Sequence, residues 1–186
     1  MKNVFTFLAL SLSIIGFCQG SKFEIGDNGM NRYVVTDVPD NNSKKLHDKV
    51  YSWISKTYND PKKVIKADLE EYIRIEGIES NIYTERILLT TNRYDIKYQL
   101  EISIKDNKYK FEIVKMEYYI PYKPNSAFQG WYSLNIKPMS EMIDKKGELK
   151  GAYKNINKIP EFFNGLNLSL KEYIEKEETT KSSNDW

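Results

Sequence analysis

The sequence predicts an α+β domain, and three patterns carry that expectation. Tyr94, Ile96, Tyr98, Leu100, Ile102 and Ile104 alternate strictly with polar residues through Lys105, the period of a long strand with one buried and one wet face. Leu46, Val50, Trp53, Ile54 and Thr57 recur at spacings of three and four, which marks an amphipathic helix before that strand. Ile159, Phe163, Leu166, Leu170 and Ile174 mark a second helix after it. At 186 residues, 40% hydrophobic and 29% charged, the chain has the make-up of one globular domain.

The amino terminus predicts export. Lys2 and Asn3 precede an apolar run from Val4 to Phe17, and Cys18-Gln19-Gly20 places small residues on the approach to a cut after Gly20. A charged start, a short apolar run and a small-x-small site make a secretory signal over residues 1–20, addressed to the periplasm or cell surface. The run is too short to span a bilayer, which takes about 20 residues. The alternative is a lipoprotein acylated at Cys18, the one route by which membrane contact is expected. Phe17 stands where a small residue ordinarily precedes such a Cys and argues against it. Cleavage after Gly20 leaves 166 residues with 27 basic and 26 acidic groups and no Cys. The expected organisation is then a single domain over 21–178 and a flexible tail over 179–186, held together by its core and not by disulfides.

Along that domain, 21–31 reads as a turn-rich lead-in around Gly26-Asp27-Asn28-Gly29. Tyr33 to Val38 is β-branched and ends at Pro39, a first strand. Asp40 to Ser43 offers N-cap oxygens to the helix expected over 43–58, with Lys44, Lys45, Lys49 and Lys56 off its apolar stripe and Asn59-Asp60-Pro61 ending it. Lys63–Asp68 and Tyr72–Ile78 read as two short strands, and 81–93 as a further extended or edge segment.

The long strand then turns at Asp106-Asn107, which can supply the two positive-φ residues of a tight hairpin. Setting Lys105 opposite Lys108 places Ile104 against Tyr109, Ile102 against Phe111 and Leu100 against Ile113. Continued unchanged, that register carries Lys115 and Glu117 onto the apolar face. One extra residue near Ile113–Val114 restores the match, setting Tyr98 against Met116, Ile96 against Tyr118 and Tyr94 against Ile120, so a β-bulge is predicted there. Pro121 to Pro138 reads as an irregular connection with a short strand at Trp131–Ile136. A helical turn over 139–143, a polar stretch over 144–157 and the final helix, with Pro160 in its first turn, complete the order.

Val34-Val35-Thr36-Asp37-Val38-Pro39, the Tyr51-Ser52-Trp53-Ile54 segment of a helix opened by Ser43, Val64-Ile65 with Asp68, Ile73 to Gly77, and Lys108-Tyr109-Lys110-Phe111 together resemble a secreted Bacteroidota family of unknown function with a TATA-box-binding-protein-like (TBP-like) fold. The resemblance covers 33–119. It implies a curved antiparallel sheet with helices on one face, in the order strand, helix, strands, helix, and it brings no catalytic residues with it.

Candidate sites are few. One Cys and one His exclude a three- or four-ligand Cys/His zinc site, and neither metal nor cofactor is expected. His47, the sole imidazole, would have to serve any Ser-His-Asp arrangement, yet it lies at the edge of the helix stripe. Glu101 and Glu112 face each other on the wet side of the hairpin, a pairing that could share a proton, with Lys110 and Ser103 beside it to neutralise it. Asp68, Glu70 and Glu71 read as an exposed turn. Lys97, Gln99, Glu101, Ser103 and Lys105 mix signs on the strand face a TBP-like protein would turn to DNA, and a net charge of +2 gives no basic footprint, so nucleic acid is not expected.

The aromatic loop residues Tyr122, Phe128, Trp131 and Tyr132 remain, either covering the end of the sheet or anchoring a partner. The expectation is a non-enzymatic binding or structural component of the envelope, meeting an envelope protein or a glycan through those rings. A carboxylate-based hydrolase is the alternative, and a concave pocket with two or more convergent polar side chains would tell the readings apart.

Overall fold

The computed structural model describes residues 22–182 apart from 88, 123, 125 and 126. The expected signal over 1–20 and the last residues of the expected tail lie outside the described residues. In chain order, β1 (Ile25–Gly26) and β2 (Gly29–Met30) form a small hairpin, followed by β3 (Tyr33–Asp37) and α1 (Ser43–Thr57). A single turn, α2 (Pro61–Val64), leads into β4 (Ile65–Leu69), β5 (Tyr72–Ile87), β6 (Thr90–Lys105) and β7 (Lys108–Ile120). Then come β8 (Gly130–Ser133), α3 (Met139–Met142), a 3₁₀ turn at Gly151–Tyr153 and α4 (Lys158–Ser182). The antiparallel sheet runs β3-β7-β6-β5-β4, and β8 also pairs with β7. The fold is α+β, as expected.

The hairpin of β6 and β7 is the spine of this sheet, and its register is the one the alternation dictates. Lys105 opposes Lys108, and the pairing runs without a slip to Leu100 opposite Ile113. It then shifts by one, so that Gln99 opposes Lys115, Tyr98 opposes Met116 and Ile96 opposes Tyr118. Val114 is the extra residue, and the predicted bulge is present. The ladder stops at Ile96–Tyr118. The expected Tyr94–Ile120 pair does not form; Tyr94 pairs only with Tyr83 of β5, and Ile120 only with Gly130 of β8.

The turn differs from expectation in one detail. Only Asn107 takes a positive φ, 63°, and Asp106 does not. Asp106 is instead committed to α1, where its Oδ1 accepts from the Ser43 N–H at 2.7 Å. Asn107 donates its N–H to the Asn41 carbonyl at 2.7 Å, which ties the hairpin tip to the start of the helix. Asn42 is the N-cap proper, accepting from the Lys45 N–H at 2.8 Å.

β4 starts later than expected. Asp60 accepts from the Lys63 N–H and Pro61 occupies the first turn, so Lys63 and Val64 are helical. β5 is twice as long as Tyr72–Ile78 because the extended reading of 81–93 joins it to β6 across a register break between Glu79 and Tyr83. Asn81 has φ 60° there, and its N–H donates to Asp95 Oδ1 at 3.1 Å. That interruption is what obscured the periodicity. The short strand in the proline-rich connection ends at Ser133, not Ile136, and the backbone of α4 continues to Ser182.

One face of the sheet is dry. Ile96, Tyr98, Leu100, Ile102, Tyr109, Phe111 and Ile113 are buried beneath Leu46, Val50, Trp53 and Ile54 of α1 and Ile159, Phe163, Leu170 and Ile174 of α4. Phe23, a lone ring in the turn-rich lead-in, is buried against Phe111 and Phe163. Asn164 holds its backbone through both the N–H and the carbonyl. Lys49 corrects the expectation for the helix lysines: it is only 3% exposed, and its ammonium donates to the Ile174 carbonyl of α4 at 3.0 Å. A long stem lets a lysine cross an apolar contact and still find a carbonyl.

Candidate functional site

Successive residues on a strand point to opposite faces, so the alternation that buries Tyr98 and Leu100 leaves Lys97, Gln99, Glu101 and Ser103 on the face without helices. The bulge at Val114 keeps Lys115, Glu117 and Tyr119 on that same face. Cross-strand partners meet there as a ladder of opposite charges. Arg74 of β5 holds Glu101, and Lys110 holds Glu112, its neighbour along β7. Gln99 donates to Glu76 at 2.9 Å, while Lys97 and Lys115 reach Glu117 at 2.8 and 3.0 Å. Two lysines on one carboxylate hold the Glu117 carboxyl below the usual carboxylate range.

Glu101 does oppose Glu112, as the register requires. Each carboxylate has its own cation, however, so the arrangement is a neutralised face and not a proton-sharing dyad. Among the described residues no group of three or more His, Cys, Asp and Glu is placed to hold a metal.

Aromatic rings border the ladder. Lys97 Nζ lies 4.6 Å from the centroid of the Trp131 ring, and Tyr119 packs on Trp131 at 5.1 Å. Arg74 lies over Tyr72 at 5.5 Å and Lys110 over Tyr33 at 5.7 Å, so cation–ring pairs stand at three places on the face.

The four loop aromatics are therefore divided. Trp131, opposite Tyr119, belongs to the helix-free face. Tyr132, opposite Tyr118, packs at 5.9 Å on a cluster that joins Tyr118 to Tyr83 and Tyr94 on the other side. Burial raises the hydroxyl pKa of Tyr83, and of Tyr94 to which it is stacked. Tyr122 and Phe128 stand exposed, at 69% and 65%. Adjacent positions in one strand already place Trp131 and Tyr132 on opposite faces, a signal present in the sequence.

His47 sits half-buried on α1, and its close polar neighbour is Asp68 of β4. Nε2 approaches Oδ1 to 2.9 Å but off the line of a hydrogen bond, so the ring nitrogen is buried without a hydrogen-bonding partner among the described residues. Asp68 thus parts from Glu70 and Glu71, which stay in the exposed turn. The pair depends on how α1 crosses the edge strand, which residue spacing does not reveal.

A concave notch of about 340 Å³ opens where β3 and β8 both border β7, beside the bulge. Asn28, Asn31, Arg32, Lys115, Ser133 and Asn135 supply its polar lining, and no carboxylate, imidazole or thiol belongs to it. Several polar residues, most of them exposed, thus border it. They are donors suited to holding a ligand, and none is placed as a general base.

The chain is similar in sequence to the family described as "domain of unknown function (DUF4468) with TBP-like fold", whose model matches residues 33–119. No curated protein matches it. A DUF4468 family protein from Bacteroides ovatus superimposes with a TM-score of 0.58 at 15% identity, covering 83% of this chain and 91% of that one. A TBP-like protein from Parabacteroides distasonis gives a TM-score of 0.48 at 16% identity, over 77% and 90% of the two chains. At 15% identity the likeness to the Bacteroides ovatus protein is one of fold.

Proposed function

We propose that this chain, whose residues 33–119 match the DUF4468 family with TBP-like fold, is an exported, non-enzymatic binding module of the cell envelope that docks a protein partner on its helix-free sheet face. The observation that carries this reading is the Lys97–Trp131–Tyr119 cluster, with Nζ 4.6 Å from the indole centroid and the two rings tilted against each other 5.1 Å apart. An indole held by a cation and a second ring is preorganised for contact, and buried aromatic anchors beside charged residues supply most of the energy at protein interfaces. Charges already paired within the face lose less on desolvation than free ones would.

Export rests on the amino-terminal pattern through Gly20, and acylation at Cys18 would add a membrane anchor to the same role. A hydrolase has less support, since Glu101 and Glu112 are each engaged by a cation.

The test is capture of envelope proteins by residues 21–186, compared with the Trp131→Ala variant and with Tyr51→Ala on the helix side as control. Loss of a specific partner with Trp131→Ala alone supports the sheet face. An unchanged set of partners discards it, and capture that soluble glycans abolish transfers the face to a carbohydrate ligand.

A further inference from the structure

We propose that the notch beside the bulge of β7 is a binding site for a small carboxylate, gripped by Arg32. This site shares Lys115 with the docking face above, but it does not rest on that role.

The notch follows from the register. β3 covers the edge of β7 from Lys108 to Glu112, and β8 covers the same edge from Glu117 to Ile120. Two single bonds bound the gap between them, Ile113 N–H to the Arg32 carbonyl at 2.8 Å and Leu134 N–H to the Met116 carbonyl at 2.9 Å. The extra residue, Val114, lies within that gap. A bulge re-aims its neighbours and interrupts pairing, which is why bulges accompany binding sites. The opposite walls are locked at Gly29, where φ is 87° and an added Cβ would meet the Ile136 carbonyl oxygen at 2.4 Å. Only glycine lets the β1–β2 hairpin approach that closely.

Arg32 is the distinctive group. One of its terminal nitrogens, Nη2, donates to the Val114 carbonyl at 3.1 Å, which fixes the side chain against the bulge. Among the described residues no carboxylate lies within ion-pair distance of it. This contrasts with Arg74, which is spent on Glu101. A guanidinium oriented by a backbone carbonyl keeps donors free for the two oxygens of a carboxylate, which it matches in a planar fork. Lys115, although shared with Glu117 at 3.0 Å, adds positive potential, and the lining contains no acid to oppose an anion. Met30 and Ile136 offer apolar surface for a short organic body, and the volume suits a molecule of that size.

Two sources share this chemistry, a free small acid and the carboxyl terminus of a peptide. The test is a ¹H–¹⁵N correlation titration with butyrate, N-acetylleucine and N-acetylleucinamide. Both acids are expected to give saturable shifts at the amides of Val114, Lys115 and Asn135, and the uncharged amide none. N-acetylleucine binding the tighter assigns the site to peptide termini, and butyrate the tighter assigns it to free acids. Arg32→Gln is expected to weaken binding at least tenfold, and Arg32→Lys by an intermediate factor, because charge persists without the fork. Arg32 is exposed, and an unperturbed spectrum of each variant confirms that its fold is kept. Equal shifts with the amide, an Arg32→Gln protein that binds as before, or shifts confined to other residues would overturn the proposal.

Discussion

The hydroxyls of Tyr58 and Tyr98 lie 3.1 Å apart, and the Tyr98 ring reaches that position by crossing directly over Gly77 of the neighbouring strand. Burial raises the pKa of both, so the pair is a neutral hydrogen bond throughout the physiological range. Edge-on contacts with Phe162 and Phe163 at 5.4 and 5.6 Å hold the Tyr98 ring from the other side. A methyl at Gly77 would stand 2.4 Å from the Tyr98 hydroxyl oxygen and 2.5 Å from the ring carbon that bears it. Gly77→Ala is therefore expected to lower stability by about 2–3 kcal/mol through overpacking. Tyr98→Phe should lose about 1 kcal/mol, mainly because the Tyr58 hydroxyl is left unpaired. Urea denaturation of the two variants checks the order, and a Gly77→Ala protein as stable as the parent would refute the close approach.

What could be read from the chain and what could not divide along physical lines. The hairpin, its register and its bulge were legible because burial imposes period two, and a residue in excess leaves a visible phase error at Lys115 and Glu117. Phe23 was illegible because a lone ring in a turn-rich lead-in has no period. Its burial depends on Asn164, 141 residues away, capturing its backbone. Lys49 was misplaced for a related reason: a helix stripe counts side-chain type, whereas a lysine stem can cross to a carbonyl on α4. The notch combines both situations, since its bulge was readable but the approach of β1–β2 to residues 134–136 was not.

The first turn of α1 is secured from two directions, by Asn42 within the chain and by Asp106 across the fold. Each satisfies a different N–H, so their contributions should be nearly additive. Asn42→Ala and Asp106→Ala are each expected to cost about 1 kcal/mol, and the double variant about twice that. A double variant no worse than either single one would show that the turn and the cap act as a unit.

Glu117 makes the charge ladder sensitive to acid. Its folded pKa lies below the ordinary carboxylate value, so the stability it contributes is present above that value. It is lost as pH falls through the ordinary range toward the depressed folded pKa. Glu117→Gln should therefore lower stability by about 1 kcal/mol at pH 7. The difference should close in acid, where the parent carboxylate is protonated too, and it should shrink in high salt. Thermal melts across pH read this directly, and a deficit that persists unchanged in acid would assign the loss to packing.

Val114 offers the sharpest test of how register governs this fold. Up to Ile113 the pairing of β7 with β6 buries Tyr109, Phe111 and Ile113. Beyond it, the bulge absorbs Val114 as an extra residue, which keeps Met116 and Tyr118 on the dry side, with Lys115 and Glu117 on the wet one. Deleting Val114 therefore leaves the alternation intact. Lys115 then follows Ile113 directly and still falls opposite Gln99, with Met116 opposite Tyr98 and Tyr118 opposite Ile96, in one unbroken register. The alternative, an intact Val114 paired without a bulge, would drive Lys115 and Glu117 beneath the helices. Burying two charges without their partners costs several kcal/mol, comparable with the whole stability of a domain this size. The deletion is expected to keep cooperative unfolding, and Val114→Ala, which keeps the bulge, should change stability by less than about 1 kcal/mol. Circular dichroism melts of the two proteins check this, and a deletion protein that no longer unfolds cooperatively would show that the bulge itself, more than the alternation of side chains, secures the distal half of β7.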